Sequence, residues 1–222
     1  IFNHSPIDMA EKWVKDGAQR LHIVDLDGAR LGAPINIELI SRICRTFPSV
    51  PVQIGGGIRD IETARKYVNA GASFIIIGTK AVEDSNFVKD LCSEFHKKII
   101  IGIDAKNGEV ATEGWVSNSK VNAISLSKKF EDFGVSEIVY TDIEKDGMMK
   151  GLNIKATVDL AKEINIPVIA SGGVSSNDDL KKINSFEKFG ISGVIVGRAL
   201  YENKINIKEA QEILRKEENV VN

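Results

Sequence analysis

The chain has few of the residue patterns that mark membrane, nucleic-acid-binding or metal-binding proteins. No apolar run in its 222 residues approaches the roughly 18 that a membrane-spanning helix requires. The formal net charge of −2 gives no electrostatic reason to expect nucleic acid or an anionic membrane surface as a partner. We therefore expect no membrane partner and no nucleic-acid partner.

Cysteine is also scarce. The two cysteines, Cys44 and Cys92, lie far apart in predicted helices, and the sequence has neither a Cys-x-x-Cys motif nor a Cys/His cluster. This pattern favours two reduced thiols that pack inside a cytoplasmic protein. We expect no metal ion and no cofactor.

The rest of the composition is that of a globular protein, with 43% hydrophobic and 27% charged residues, and predicts a single domain over residues 1–222. Short apolar strands alternate with segments of helical period along the chain. The strands are predicted near residues 21–25, 51–54, 74–77, 99–104, 136–142, 167–170 and 193–196. The helices are predicted near residues 6–17, 36–46, 60–70, 84–95, 122–134, 153–164, 177–188 and 206–216.

Strands such as residues 74–77 are apolar on both faces, as in a parallel sheet that is covered by helices. Strand–helix units of about 30 residues, together with one further strand before the first helix, make eight units. We therefore predict an α/β fold, a TIM (β/α)8 barrel built from two half-barrel repeats. An open doubly wound sheet is the alternative, but it does not explain a twofold internal repeat.

The repeat is clearest in two passages that end in glycine. The first reads QIGGGI at 53–58 and FIIIGT at 74–79, and the second reads IASGGV at 169–174 and GVIVGR at 193–198. Glycine lets backbone N–H groups approach a phosphate closely, and a helix that begins there adds the positive end of its dipole. Two copies predict two phosphate sites, and hence a small-molecule ligand with a phosphate at each end.

Other residues repeat at the same spacing. Asp142 lies 117 positions after Asp25, and Asn153 lies 117 positions after Asn36. The strand that ends at Asp104 has no mate, because a residue 117 positions earlier would precede Ile1. We therefore expect that one N-terminal strand and its loop are absent from this chain.

Residues at the carboxyl ends of the strands are the candidate site, because barrels of this type place their chemistry there. Asp104 lies between the two glycine clusters in the order of strands, so we predict acid–base chemistry by this carboxylate on the middle of the ligand. The candidate substrate-binding residues are Gly56, Gly57, Arg59, Gly78, Thr79, Trp115, Thr141, Asp146, Ser171, Gly172, Gly173, Gly197 and Arg198.

Each of these residues also has a structural interpretation. Asp25 and Asp104 could cap a loop, and Asp146 could be a turn residue in Lys145–Gly147. Arg59 and Arg198 could form surface ion pairs instead of binding phosphate. Trp115 could pack within its loop instead of stacking on a ligand. His22 is interpreted as a hydrogen-bonded core histidine and not as a ligand-binding residue.

Together these motifs closely resemble the ProFAR isomerase family of histidine biosynthesis. The matching segments are HIVDLDGA at 22–29, VQIGGGIR at 52–59, YTDIEKDG at 140–147, SGG at 171–173 and VGRAL at 196–200. The resemblance covers essentially the whole chain. It implies an Amadori rearrangement, in which a bis-phosphorylated aminoaldose becomes the aminoketose.

The resemblance also implies roles for two carboxylates. Asp104 matches the general acid that opens the ribose ring. The base that removes the proton from the adjacent sugar carbon lies on the first strand in the family and has no counterpart here. Asp25, Asp142 and Asp146 are the candidates for the base if the chain as given is active. The complete enzyme is expected to be a monomer.

Two alternatives stay open. The related cyclase of the same pathway has a Thr-Ser pair before isoleucine on strand six and Ala-Ser-Ile-Phe near strand eight, whereas this chain has Thr141–Ile143 (TDI) and Gly197–Leu200 (GRAL). The sequence therefore favours the isomerase. The second alternative is a catalytically incomplete barrel fragment that binds phosphate.

Overall fold

A computed structural model describes residues 5–112 and 117–215 of the chain, and these form alternating strands and helices. The strands are Leu21–Val24 (β1), Val52–Gly55 (β2), Phe74–Ile77 (β3), Ile99–Lys106 (β4), Glu109–Thr112 (β5), Ser117–Asn122 (β6), Glu137–Asp142 (β7), Val168–Ser171 (β8) and Ile191–Val194 (β9).

The helices lie before, between and after these strands along the chain. They are Pro6–Lys15 (α1), Leu26–Leu31 (α2), Ile37–Thr46 (α3), Ile61–Asn69 (α4), Thr79–Glu83 (α5), Ser85–Glu94 (α6), Ala123–Lys128 (α7), Ile154–Glu163 (α8), Asn177–Asn184 (α9), Arg198–Tyr201 (α10) and Ile207–Arg215 (α11). Two short 3-10 turns, Glu131–Phe133 and Glu187–Phe189, precede β7 and β9.

The sheet runs in the order β1-β2-β3-β4-β7-β8-β9, and all of these neighbours are parallel. The antiparallel pair β5 and β6 branches from the end of β4. Strand–helix alternation with a parallel sheet confirms the predicted α/β barrel class. Within the described residues, β1 and β9 are the end strands of the sheet.

The helices cover the outer face of the sheet with the apolar spacing seen in the sequence. Helix α3 buries Ile40, Ile43 and Cys44, and α6 buries residues at the same spacing, among them Leu91 and Cys92. Both cysteines are buried and unpaired, as expected. Burial raises the pKa of the Cys92 thiol to about 11, so this group stays protonated.

A second, smaller apolar cluster lies on the inner face of the curled sheet. It consists of Ile76, Ile100, Val139 and Ile169, with Phe74 and Ile195 packed against it. Because side chains alternate along a strand, these residues define the inward positions on β3, β4, β7 and β8. That phase decides which residues at the strand ends face the mouth of the barrel.

The end strands expose part of this inner face. Val24 on β1 is 45% exposed, and Leu26 just beyond it is 75% exposed. The last strand begins earlier than predicted, at Ile191, and its register against β8 shifts between Val168 and Ile169. In the part of the chain that is described, no helix is long and apolar enough to span a membrane.

Candidate active site

A row of three polar side chains crosses the carboxyl-terminal end of the sheet. Asp104 on β4 pairs in register with Thr141 on β7, which pairs with Ser171 on β8. Ile100, Val139 and Ile169 occupy inward positions on the same three strands, so the two-residue period turns all three polar residues inward. Asp104 is half-buried, whereas Thr141 and Ser171 are buried. The structure therefore brings these predicted site residues together on one face.

The first glycine turn follows β2 and rests on the backbone that follows β1. Gly56 has φ +112°, and a Cβ there would lie 2.3 Å from the carbonyl oxygen of Asp25. A Cβ on Gly57 would lie 2.1 Å from the carbonyl oxygen of Gly28. Only glycine fits at either position, so the packing of the protein requires these residues before any ligand is considered.

The second turn, after β8, repeats the arrangement. Gly172 has φ +87°, and a Cβ there would lie 2.7 Å from the carbonyl oxygen of Asp142. A Cβ on Gly173 would lie 2.6 Å from the carbonyl oxygen of Gly151. The two turns are separated in the sheet by β3, β4 and β7, so Asp104 and Thr141 lie on strands between them.

Gly78 and Gly197 form a different matched pair. They precede the short helices α5 and α10, with similar backbone angles of φ −99°, ψ −111° and φ −107°, ψ −101°. Both are exposed, and a Cβ on either would meet no described atom within 4 Å. Thr79 is the first residue of α5. Unlike the turns at Gly56 and Gly172, these glycines leave open space in front of the backbone.

The two arginines of the predicted site tie loops together. The guanidinium of Arg59 donates to the carbonyl oxygen of Ala29 at 3.2 Å. Arg198 donates to the carbonyl oxygen of Gly147 at 2.8 Å and forms an ion pair with Glu202. The surface ion pair that was the structural alternative for Arg198 is therefore present. Both arginines also hold a loop by donating to one of its backbone carbonyl oxygens.

Arg59 also lines a groove of about 760 Å³ between the segments that follow β1, β2 and β3. Its lining carries both signs of charge, with Lys66 and Lys80 near Asp60 and Asp84. None of the inward residues of the polar row lines this groove. We therefore place the candidate active site at the mouth, where the polar row and the glycine turns lie.

Two further candidates follow β7 and β4. Asp146 is exposed in the loop after β7. Desolvation by nearby protein atoms raises the pKa of its carboxyl group above the usual value. Its exposure keeps that carboxyl group accessible to solvent. Trp115 lies outside the described residues.

Asp25 and Asp142 point away from the mouth. The expectation that either of them could be the catalytic base is therefore wrong. They follow the inward residues Val24 and Thr141, so alternation turns them toward the helices. Asp25 is 2% exposed and Asp142 is 5% exposed. Neither carboxylate can reach a ligand in the mouth.

Asp25 is instead the centre of a buried hydrogen-bond network that no sequence motif predicts. It accepts from the backbone N–H groups of Gly28 and Asn36, the Asn36 amide and the Tyr67 hydroxyl, at 2.7 to 2.9 Å. Burial raises the pKa of Asp25 and the donors from Asn36 and Gly28 lower it, with the net pKa below its usual value. Asp25 therefore stays ionised within the fold.

At the opposite end of the strands, polar residues line the floor of the barrel. Arg20 donates to Oε1 of Gln53 at 3.1 Å and forms an ion pair with Glu137 at 2.5 Å. The amide nitrogen of Gln53 lies 2.8 Å from Nδ1 of His22. His22 is hydrogen-bonded, as expected, but it is exposed because β1 is an end strand.

This chain of contacts fixes the protonation state of His22. Arginine can only donate, so Oε1 of Gln53 faces Arg20 and the amide N–H donates to Nδ1 of His22. The imidazole must then be neutral at Nδ1. Desolvation by the surrounding protein atoms lowers the pKa of His22 to about 4. The ring surface is exposed, but the fixed donor at Nδ1 supports the same direction.

A metal site is not found among the residues that the structure describes, where no three His, Cys, Asp or Glu side chains are close enough to hold an ion. Among the described residues, the polar row brings one carboxylate and two hydroxyls to the mouth, beside the two glycine turns.

Residues 1–206 match the family model described as "Histidine biosynthesis protein". A protein of Vesicomyosocius okutanii subsp. Calyptogena okutanii is 53% identical over 213 residues, which is 96% of this chain and 88% of that protein. A protein of Marinobacter nauticus is 53% identical over 211 residues, 95% of this chain and 86% of that protein. Both are named 1-(5-phosphoribosyl)-5-((5-phosphoribosylamino)methylideneamino) imidazole-4-carboxamide isomerase. The chain belongs to the histidine biosynthesis protein family.

Proposed function

We propose that this chain is the isomerase for which its relatives are named. The reaction is the Amadori rearrangement of the bis-phosphorylated aminoaldose ProFAR to the aminoketose in histidine biosynthesis. The observation that carries this proposal is the inward row of Asp104, Thr141 and Ser171 between two matched glycine turns. The identity of about half of all residues to proteins named as this isomerase supports it.

The two phosphates of the substrate bind at the two glycine clusters in this proposal. Gly56, Gly57, Gly78 and Thr79 form one site, and Ser171, Gly172, Gly173 and Gly197 form the other. The open space at Gly78 and Gly197 supports this assignment, because exposed backbone N–H groups at a helix start attract an anion. Arg59 and Arg198 act by holding the loops around these sites, as their backbone contacts indicate.

Asp104 is the general acid in this proposal. Its proton goes to the ring oxygen of the ribose attached through nitrogen, the C1–O bond breaks, and the nitrogen lone pair forms the C=N bond of an open-chain iminium ion. A base takes the proton from the adjacent carbon, the C–H electron pair neutralises the iminium ion to an enol-amine, and tautomerisation of the enol gives the aminoketose. Protonation of the leaving oxygen is the step for which an inward carboxyl group is needed.

The base for the second proton transfer is not Asp25 or Asp142, which face the helices. Of the three carboxylates considered from the sequence, Asp146 is exposed in a loop that follows β7, at the mouth end of the sheet. Its hydrogen bond through the backbone N–H to the carbonyl oxygen of Asp142 holds the start of this loop. We place Asp146 among the substrate-binding residues of the mouth.

The test is Asp104→Asn, assayed for conversion of the aminoaldose to the aminoketose. We expect kcat to fall by roughly 10²–10⁴-fold, because the amide cannot supply the proton, while binding of a bis-phosphate analogue stays within about threefold. The matched control is Asp132→Asn, which changes an exposed carboxylate in the turn before β7, at the opposite end of the strand. A rate for Asp104→Asn within about threefold of wild type would reject the assignment.

A further inference from the structure

The two halves of the barrel contain the same buried carboxylate–amide pair. The Asn36 amide donates to Asp25 at 2.7 Å, and the Asn153 amide donates to Asp142 at 2.5 Å. In each half the asparagine follows the aspartate by 11 positions. The same contact in both copies indicates that the pair serves something that both copies contain.

Both asparagines stand at the start of a helix, but capping does not account for the pair. Asn36 is the N-cap residue of α3 and makes no side-chain cap bond within the described residues, since its side chain is turned to Asp25. Asn153 caps α8 with its carbonyl oxygen and donates to Asp142 with its nitrogen. In both halves the side-chain amide N–H of the asparagine therefore donates to the aspartate carboxylate.

Each carboxylate is buried without a cation. No described Lys, Arg or His forms an ion pair with Asp25 or Asp142, so backbone and side-chain donors alone hold them. A buried carboxylate is costly unless its donors are fixed in position. These two carboxylates therefore constrain the loops that supply their donors.

The same two aspartates form the support beneath the glycine turns. The carbonyl oxygen of Asp25 lies 2.3 Å from where a Cβ on Gly56 would be, and that of Asp142 lies 2.7 Å from where a Cβ on Gly172 would be. The Asp25 N–H also donates to the carbonyl oxygen of Gly55 at 2.8 Å. A shift of either aspartate would shift the turn that rests on it, because no gap separates them.

We propose that Asp25–Asn36 and Asp142–Asn153 are positioning pairs, each of which sets the geometry of the phosphate-binding glycine turn that rests on its aspartate. The inference rests on the proposed function in assuming that the turns bind phosphate. It adds that the two sites are tuned independently, each by its own asparagine. The first pair is braced more fully, because Tyr67 also donates to Asp25.

The test compares Asn36→Ser and Asn153→Ser in the full chain, with inorganic phosphate as the probe in ³¹P NMR titrations. Serine can still act as a helix N-cap, but it removes the amide donor. We expect two phosphate sites in the wild type, and each variant should weaken one site by about tenfold, or about 1.4 kcal/mol, and leave the other within about twofold. The double variant should weaken both.

The control is Asn206→Ser, the same exchange at an exposed N-cap before α11. It should leave both phosphate sites unchanged. Tyr67→Phe provides a milder change that keeps the buried ring, and it should weaken only the site that Asn36→Ser weakens, by a few-fold. This variant keeps the test decisive if a serine variant does not fold.

The outcomes separate this inference from the proposed function. Folded variants that melt at lower temperature but keep both phosphate affinities would show a merely structural role and overturn the inference. A wild-type chain that binds no phosphate at millimolar concentration would also overturn it, whatever its turnover. Site-selective loss of phosphate in a chain without isomerase turnover would support the positioning pairs and reject the proposed function.

Discussion

The glycines of the mouth differ in what a side chain would meet. At Gly56 and Gly172 a Cβ would collide with backbone at 2.3 and 2.7 Å, so substitution there disturbs the protein itself. At Gly78 and Gly197 the position is empty to 4 Å. Only the second pair can report on ligand binding without first damaging the fold.

We therefore predict that Gly78→Ala and Gly197→Ala each weaken binding of a bis-phosphate analogue by about tenfold, or about 1.4 kcal/mol. The methyl group would occupy space that the phosphate needs. Isothermal titration calorimetry measures the affinity, and thermal melting checks the fold. Unchanged affinity in both folded variants would show that the phosphates do not bind at Gly78 and Gly197.

His22 makes stability depend on pH. Its folded pKa of about 4 lies below the ordinary value of 6.5, so the unfolded chain binds this proton more readily. The contribution of the neutral ring is fully present above pH 6.5 and is lost as the pH falls toward 4. Asp25, whose folded pKa is lowered, loses its contribution at more acidic pH.

Urea denaturation between pH 7.5 and pH 4 should therefore show a falling midpoint in the wild type. In His22→Gln, whose amide oxygen can accept from Gln53 but does not titrate, the decline across this window should be smaller. Equal slopes in the two proteins would mean that His22 carries no pH dependence. Because the ring is exposed, we expect a moderate effect.

The sequence allowed the prediction that Asp104 faces the mouth, since it ends a strand between two glycine clusters. It did not separate Asp104 from Asp25 and Asp142, because strands that are apolar on both faces hide the phase of alternation. The loop ties of Arg59 and Arg198 were equally hidden. Their acceptors are backbone carbonyl groups, which any residue supplies.

At the scale of elements, the long helices and parallel strands were predictable within a few residues because their apolar period is sustained. The short helices α2, α5 and α10 and the antiparallel pair β5 and β6 were not predicted. Each short helix has six residues or fewer, and too few turns for a period to appear. They lie after strand ends, where the candidate site lies.

Helix α9 shows how an element is anchored beside the second glycine turn. Ser176 accepts from the Asp179 N–H, and Asp179 accepts from the N–H groups of Ser175 and Ser176 in a capping box. We predict that Asp179→Ala lowers the free energy of unfolding by about 1–2 kcal/mol, measured in urea.

The neighbouring Asp178→Ala is the control for this prediction. Asp178 is 75% exposed, and its contact with Lys181 is also exposed, so its removal should change the unfolding free energy by less than about 0.5 kcal/mol. Equal losses in the two variants would indicate a general charge effect on α9 and not a cap.

For the whole molecule, the ion pair of Arg20 and Glu137 joins the two halves of the barrel at its floor. The Arg20 side chain is 32% exposed and that of Glu137 is 14% exposed, and Ser192 donates to the second carboxylate oxygen of Glu137. The pair is shielded more than a surface ion pair. Its coupling energy should therefore be larger.

A double-mutant cycle with Arg20→Met and Glu137→Gln tests this tie. We predict a coupling energy of about 1–3 kcal/mol in the free energy of unfolding. The reference cycle uses Lys128 and Glu163, whose side chains are 47% and 53% exposed, and should give about 0–1 kcal/mol. Equal coupling in both cycles would mean that the floor pair does not join the halves.

Arg20 and Glu137 are separated by 117 positions, which is the spacing of the repeat, so they occupy the same place in the two halves. If either half associated with a copy of itself, arginine would meet arginine or carboxylate would meet carboxylate at this point. Like charges held together at a partly buried site disfavour such self-association. This ion pair can therefore form only between unlike halves, because one half has the arginine and the other half has the glutamate at this position.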